Sequence, residues 1–136
     1  MRVRRVAAVG EVVAARGTMA AVAAGLGAAG EPPAVGAVGA LVETPAAALL
    51  ADELVEHVDF LSVGSNDLAQ YVMAAERGNR RVTEYADPRQ PAVLRAIDAA
   101  VAAAAGTDVR VGICGEMAGD PDLAELLVGL GVDELS

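Results

Sequence analysis

The feature that most constrains the fold is a regular alternation of short apolar runs with longer helix-forming segments. Three apolar runs lie at residues 36–42, 59–64 and 109–114, and residues 131–136 have the composition to begin a fourth. Short continuous apolar runs are typical of strands that are covered on both faces. Because strands that alternate with helices run parallel through right-handed crossovers, we predict an α/β fold.

The segments between these runs carry helix signals. Residues 45–57 and 91–105 each begin with Pro, which suits the first turn of a helix. Further helices are predicted at residues 10–29, 66–76 and 121–130. The stretch 25–39 is rich in Gly and Pro and predicts a loop between two ordered segments. We see no apolar run as long as the roughly 18 residues of a membrane-spanning helix.

Composition narrows the possible partners. Ten Arg and no Lys stand against nineteen acidic residues, which gives a net charge of −9. Phosphate would be repelled by such a chain, so we expect no nucleic acid and no membrane as partners. The single Cys excludes an intrachain disulfide and makes a reducing, cytoplasmic setting the default. Aromatic residues make up only 2%, so the core must be built from Ala, Val and Leu.

Polar residues follow the carboxyl ends of three predicted strands. Glu43 follows GALV, Asn66 and Asp67 follow FLSVGS, and Cys114 closes VRVGIC. In parallel α/β folds these ends converge on one face, where ligands bind. We therefore expect these four residues to meet in space.

Two interpretations of the carboxylates stay open on spacing alone. Glu43 and Asp67 would repel each other unless a cation or a proton lay between them, and Mg²⁺ takes one or two carboxylates together with substrate oxygens. Each residue could equally cap the helix that follows it.

The other polar residues are equally ambiguous. The Gly-Ser-Asn-Asp turn that contains Asn66 and the guanidinium of Arg77 could bind a phosphate, but Arg77 could also be a solvated residue at a helix end. The Cys114 thiol could transfer a proton near neutral pH, or it could be a small buried apolar group. His57 is expected to be a solvated loop residue.

Four stretches of the chain resemble a known family. They are VGALVETPAAALLADEL, DFLSVGSNDLAQYVMAAERGN, YADPRQPAVLRAI and VGICGEMAGDPDLAELLVGLGVDELS. Together they resemble the C-terminal domain of the phosphoenolpyruvate (PEP)-utilising enzymes. Within that family the pairing of Gln70-Tyr71 with the CGEMAGD loop favours the enzyme I branch of the bacterial PEP:sugar phosphotransferase system. Pyruvate phosphate dikinase and PEP synthase are the sibling branches.

The resemblance implies a fold and its division into parts. The family domain is a (β/α)8 TIM-type barrel, and such barrels need roughly 250 residues. The chain is expected to be a truncated C-terminal half, with about four parallel strands and their helices. Residues 36–136 would form the barrel segment that binds PEP and Mg²⁺. Residues 1–35, where the likeness is weaker, would supply a partial strand, a helix and the Gly/Pro loop.

The resemblance also implies residue roles. Glu43 and Asp67 correspond to Mg²⁺ ligands, and Asn66 with Asp67 contacts PEP. Arg77 matches an arginine that holds the PEP phosphate, and Cys114 matches the acid–base thiol that protonates the enolpyruvate carbon. The family usually has Val-Asp where this chain has Ala75-Glu76. Two further arginines that grip PEP in the family would lie upstream of this chain.

The implied activity is phosphoryl transfer from PEP to a protein histidine, a cytoplasmic transferase reaction that serves sugar transport. The phosphate would pass to the phosphocarrier protein HPr through an N-terminal domain that the chain lacks, and full-length members are expected to be homodimers. Two alternatives stay open. The chain could be an inactive or split fragment that pairs with another half-barrel, or part of an enzyme of the PEP synthase or dikinase type.

Overall fold

Five parallel strands form a single sheet in the computed structural model, which describes residues 1–30 and 36–136. The strands lie side by side in chain order, and every neighbouring pair is parallel. The α/β prediction is therefore confirmed, with five strands in place of about four. The strands are β1 (Arg2–Val3), β2 (Gly39–Val42), β3 (Phe60–Gly64), β4 (Arg110–Cys114) and β5 (Glu134–Leu135).

Helices connect the strands, as expected for parallel crossovers. They are α1 (Val9–Ala28), α2 (Pro45–Leu49), α3 (Ala51–Leu54), α4 (Ser65–Val72), α5 (Pro91–Ala104) and α6 (Pro121–Gly129). Among the described residues, β1 and β5 each pair with one strand only, so the sheet is open. An open, purely parallel sheet with helices between its strands matches half of a TIM-type barrel.

The core is aliphatic, as the scarcity of aromatic residues predicted. Strands β2 and β3 are almost completely buried, whereas β4 buries only Val111 and Ile113. From the strands the core takes Ala40, Val42, Leu61, Val63, Val111 and Ile113, and from the helices Leu54, Leu68, Ile97 and Leu127.

Two of the predicted helices are shorter in the structure than the sequence predicts. The helix expected over residues 45–57 is interrupted at Leu50, and a short 3-10 turn, Val55–His57, follows α3. The interruption lets both α2 and α3 pack against α5. The helix expected over residues 66–76 ends at Val72.

The early end of α4 has a local cause. Ala74 adopts the left-handed conformation, with φ of 49°. The N–H of Ala75 then donates to the carbonyl of Gln70 at 3.0 Å, which closes a Schellman motif. Glycine is the usual residue at the left-handed position, so an alanine there gives no stop signal in the sequence.

The region before β2 also differs from the prediction. The loop expected over 25–39 begins later, because α1 continues through Gly25 and Gly27 to Ala28. A glycine inside a helix costs only about 1 kcal/mol, so it does not have to end one. The strand expected from residue 36 begins at Gly39. The centre of the predicted loop, residues 31–35, lies outside the described residues.

Helix α1 is the most exposed of the six α-helices in the described chain. It has 20 residues, of which only Val12 is buried. By length and composition it could cross a membrane, although Glu11, Arg16 and Thr18 interrupt its apolar residues, so it contains no continuous apolar run of that length. A single helix of this kind near the N-terminus is weak evidence for a span.

Candidate active site at the carboxyl end of the sheet

A cavity of about 170 Å³ opens at the carboxyl ends of β1 to β4. Every residue that the sequence analysis singled out for this end of the sheet lines it, and the structure adds Arg4, which follows β1. The sequence-predicted residues that line it are Glu43, Asn66, Asp67, Arg77 and Cys114.

Glu43 is the most buried charged residue of the described chain, with 1% of its surface exposed. Its Oε1 accepts the backbone N–H of Arg5 at 2.7 Å, and the Nε of Arg4 lies 3.9 Å from the same oxygen. Within residues 1–30 and 36–136, no protein group donates to Oε2. One oxygen of a buried carboxylate is thus left for a ligand.

Gly64, at the end of β3, makes room for this carboxylate. A Cβ at Gly64 would lie 3.1 Å from the Cβ of Glu43 and 3.4 Å from its Oε2. Both distances are tighter than ordinary van der Waals contact or at its limit. This role was not predicted, and its one signal in the sequence is that the glycine stands directly before the Ser-Asn-Asp turn.

The structure excludes the helix-cap interpretation of both acidic residues. The N-cap of α2 is Thr44, whose Oγ1 accepts the N–H of Ala47 at 3.1 Å. The N-cap position of α4 is Gly64, so Asp67 lies inside the first turn and makes no capping hydrogen bond. Glu43 and Asp67 are therefore not needed to begin the helices that follow them.

Asn66 and Asp67 are held at the start of α4. The Oδ1 of Asn66 accepts the N–H of Glu116 at 3.1 Å, which ties the turn after β3 to the loop after β4. The Oδ1 of Asp67 lies 3.9 Å from a terminal nitrogen of Arg77. About a third of the Asp67 side chain is exposed, so its oxygens can reach the cavity.

Cys114 ends β4 beside two serines. Its Sγ lies 3.8 Å from the Oγ of the buried Ser62, and its carbonyl accepts the hydroxyl of Ser65 at 3.0 Å. Cys114 is partly exposed and is not part of the buried aliphatic core.

Gly115 shapes the turn after the thiol. Its φ of 106° is in the left-handed region, and a Cβ there would lie 2.6 Å from the Oγ of Ser65 and 3.0 Å from the Oδ1 of Asn66. Only glycine accommodates both the backbone conformation and the close approach.

Arg77 lies between two cavities. Its backbone N–H donates to the Oε1 of Gln70 at 2.9 Å, while more than half of its side chain is exposed. A second cavity of about 160 Å³ adjoins the first at Asn66 and Arg77, and Glu116 lines it. The guanidinium can therefore approach a ligand in the first cavity without breaking a buried contact.

Larger cavities lie toward the amino ends of the strands. Two of them, of about 480 and 350 Å³, share Asp59 in their lining and contain none of the residues predicted for the site. His57 also lies toward this end, directly before β3, and its carbonyl accepts a guanidinium N–H of Arg16 at 2.9 Å. The size of a cavity therefore does not identify the place where the polar groups converge.

The donor set at the carboxyl end fits Mg²⁺ only in part. Glu43 and Asp67 supply hard carboxylate oxygens, but the part of the chain that the structure describes contains no group of three or more metal-ligating side chains. Mg²⁺ is commonly bound by one or two carboxylates, with substrate oxygens and water completing its shell. These residues fit an ion that is held jointly with a substrate.

Comparison with known proteins identifies the relatives of the chain. The family described as PEP-utilising enzyme, PEP-binding domain, matches residues 3–136 of the chain. The chain is 64% identical over 131 residues to the phosphoenolpyruvate-protein phosphotransferase of Haloferax volcanii, which covers 96% of this chain and 23% of the relative.

Two shorter matches extend the comparison. Over 99 residues the chain is 52% identical to the phosphoenolpyruvate-protein phosphotransferase of Geobacillus stearothermophilus, covering 73% of this chain and 17% of the relative. The multiphosphoryl transfer protein of Xanthomonas campestris matches at the same identity, with 12% of the relative covered. The chain thus spans less than a quarter of the length of these curated relatives.

Proposed function

The chain belongs to the family of PEP-utilising enzymes through their PEP-binding domain, as its sequence resemblance predicted, and we propose that it forms the PEP-binding face of a PEP–protein phosphotransferase. One observation supports this most strongly. Two carboxylates, an arginine and a thiol, from separate turns after the strands, line a single small cavity. These are the groups needed to bind an enol phosphate, to balance its charge and to protonate its carbon.

Substrate binding would rest on Arg77 and Asn66. The guanidinium of Arg77 matches phosphate oxygens with paired N–H donors. Because that side chain is largely exposed, it can turn toward the cavity without leaving a buried partner unsatisfied. The amide of Asn66, fixed by the N–H of Glu116, would orient the substrate between the arginine and the thiol.

Glu43 and Asp67 would hold Mg²⁺. When bound, the ion would neutralise charge on the phosphoryl group during transfer, where positioning and electrostatics supply most of the catalysis. The burial of Glu43 keeps its carboxylate in one place, and the Arg5 N–H fixes which oxygen faces the cavity.

Cys114 would supply the proton. As the bond between phosphorus and the enol oxygen breaks, the electron pair stays on the enolate of pyruvate, and the phosphoryl group forms a bond to an imidazole nitrogen. The Sγ of Cys114 would then donate its proton to the methylene carbon of the enolate, which gives pyruvate. The thiolate regains a proton from solvent.

The acceptor histidine would lie outside the described site. The chain has one histidine, His57, and it precedes β3, while the cavity lies beyond the carboxyl ends of the strands. A histidine of another domain would therefore accept the phosphoryl group, and HPr would receive it next.

We place this activity in the cytoplasm. We also keep the division into an edge strand with its helix, residues 1–35, and a PEP-binding segment, residues 36–136.

Calorimetric titration with PEP, with and without Mg²⁺, tests the proposal. PEP should give heat of binding only when Mg²⁺ is present, either with the chain alone or after mixing with a polypeptide that supplies the preceding half of the barrel. Arg110→Gln, at the amino end of β4, is the matched control and should bind as the native chain does. Absence of binding in both settings would contradict the proposal.

The open sheet favours a second candidate function, a half-barrel that pairs with another half-barrel. Both β1 and β5 leave one edge unpaired among the described residues, and unpaired edges promote association. Size-exclusion chromatography separates the two ideas. A monomer that binds PEP with Mg²⁺ on its own would argue against a requirement for pairing.

A further inference from the structure

We propose that Arg4 is a further substrate-binding residue, whose guanidinium takes the carboxylate group of PEP. This inference rests on the proposed function and deepens it. The sequence analysis assigned no role to Arg4, because the segment that contains it was interpreted only as part of a weak strand. The structure places the residue directly after β1, in the lining of the same cavity as Glu43 and Arg77.

The backbone after β1 brings this arginine to the cavity. Arg5 adopts the left-handed conformation, with φ of 53°, which turns the chain at the end of the strand. Its N–H binds Glu43, and this hydrogen bond anchors the turn to β2. The side chain of Arg4 is 69% exposed, and its guanidinium makes no hydrogen bond with the described residues. It is held near the cavity but is free to bind an anion.

The two arginines of the cavity flank the two carboxylates. The Nε of Arg4 lies 3.9 Å from Glu43, and a terminal nitrogen of Arg77 lies 3.9 Å from Asp67. Both distances exceed a hydrogen bond, so each pair is a loose ion pair. A divalent cation held by these carboxylates would neutralise part of their charge and weaken both ion pairs, which would leave the guanidiniums more available to the substrate.

The charge of PEP fits this pair of cations. The molecule carries a phosphate and a carboxylate on neighbouring atoms of its enol carbon skeleton. Arg77 is next to Asn66 and Asp67 after β3, and in the proposed function it binds the phosphate. Arg4 approaches from the β1 side, so of the two arginines that this chain contributes to the cavity it is the one that remains for the carboxylate, whatever groups the preceding half of the barrel adds. A guanidinium binds a carboxylate through two parallel N–H donors.

Binding measurements with fragments of the substrate test this assignment. The probes are PEP, pyruvate, which keeps the carboxylate, and inorganic phosphate, each titrated calorimetrically in the presence of Mg²⁺. Arg4→Gln should weaken binding of PEP and pyruvate about tenfold or more and leave phosphate and Mg²⁺ binding within about twofold. Arg77→Gln should weaken PEP and phosphate but not pyruvate. Arg4→Lys should keep part of the affinity, and Arg110→Gln should change nothing.

Three outcomes would overturn the inference, and they are distinguishable. If Arg4→Gln binds PEP as the native chain does while Arg77→Gln does not, the role of Arg4 is wrong and the proposed function stands. If Arg4→Gln changes Mg²⁺ affinity more than PEP affinity, Arg4 acts only on the charge of Glu43. If the native chain binds no PEP in either setting, the proposed function fails and this inference fails with it. Circular dichroism of each variant confirms that the fold is kept.

Discussion

Two carboxylates at opposite ends of the sheet bind the backbone in the same way but differ in what remains free. Asp59, just before β3, accepts the N–H of Val38 at 2.7 Å, and Glu43, just after β2, accepts the N–H of Arg5 at 2.7 Å. The second oxygen of Asp59 faces Arg16 at 3.3 Å in an ion pair that is largely exposed. The second oxygen of Glu43 lies beside Gly64, accepts no hydrogen bond from the described residues and remains accessible from the cavity.

The difference indicates that the amino end of the sheet contributes to stability and that the carboxyl end is available for binding. At the amino end the polar groups satisfy one another, and the N–H of Val38, with Arg16 adding to it, holds the pKa of Asp59 below its usual range. At the carboxyl end the strands converge with polar groups only partly satisfied. Incompletely satisfied polar groups that converge from several turns are typical of ligand sites in parallel α/β proteins.

Exchanging the two carboxylates for amides should separate binding from stability. Glu43→Gln keeps an oxygen for the Arg5 N–H but loses the negative charge, so PEP binding in Mg²⁺ should weaken about a hundredfold, with little change in the free energy of unfolding. Asp59→Asn should leave binding unchanged. Calorimetric titration and urea denaturation measure the two effects. Equal loss of binding in both variants would erase the distinction between the two ends.

Two glycines in the left-handed conformation allow the same comparison for the backbone. Gly115→Ala introduces both backbone strain and a clash with Ser65 and Asn66, and we expect a loss of about 2–3 kcal/mol in the free energy of unfolding. Gly106→Ala, before β4, has φ of 79° but no atom within 4 Å of the new Cβ, so strain alone should cost about 1 kcal/mol. Urea denaturation checks the order. Equal losses would mean that packing around Gly115 contributes nothing.

The amino end should lose part of its stability in acid. Because the folded pKa of Asp59 lies below the unfolded value of 3.8, its contribution is complete above that value and disappears as pH falls through the folded pKa. The side chain is 44% exposed, so we expect only about 0.5–1 kcal/mol. Denaturation of the native chain and Asp59→Asn at pH 7 and near pH 3 measures it. The gap between them should narrow at low pH, and a constant gap would contradict the assignment.

The smallest expected effect concerns the thiol. The hydroxyl of Ser62 donates a weak hydrogen bond to the Cys114 Sγ at 3.8 Å, and this contact holds the sulfur in the lining of the cavity. Ser62→Ala should therefore slow alkylation of this single cysteine by iodoacetamide, by less than about threefold. The rate in urea, where the contact is lost, should be equal for both chains. Faster alkylation of the folded variant would mean that Ser62 shields the thiol instead.

Much of the fold was predictable because its signals are local. Apolar runs bounded by polar residues located β2, β3 and β4, and Pro at the first turn located α2, α5 and α6. The predicted helix ends were wrong where a helix stops because of its backbone conformation or its packing and no characteristic residue marks the position. The left-handed Ala74 and the interruption at Leu50 are examples, since glycine or proline would normally mark such positions.

For the site, the sequence by itself determined which chemical groups follow the strand ends, because parallel pairing brings those ends to one side. Only the tertiary structure decided what each group is free to do. Thr44 caps α2, which releases Glu43, and the turn at Arg5 carries Arg4 into the cavity. The cap itself is local, but the Thr44 hydroxyl also donates to the carbonyl of Val6, and the turn at Arg5 is anchored on Glu43; each of these partners lies 38 residues away in the chain. Local sequence patterns carry no information about the energy of such long-range contacts.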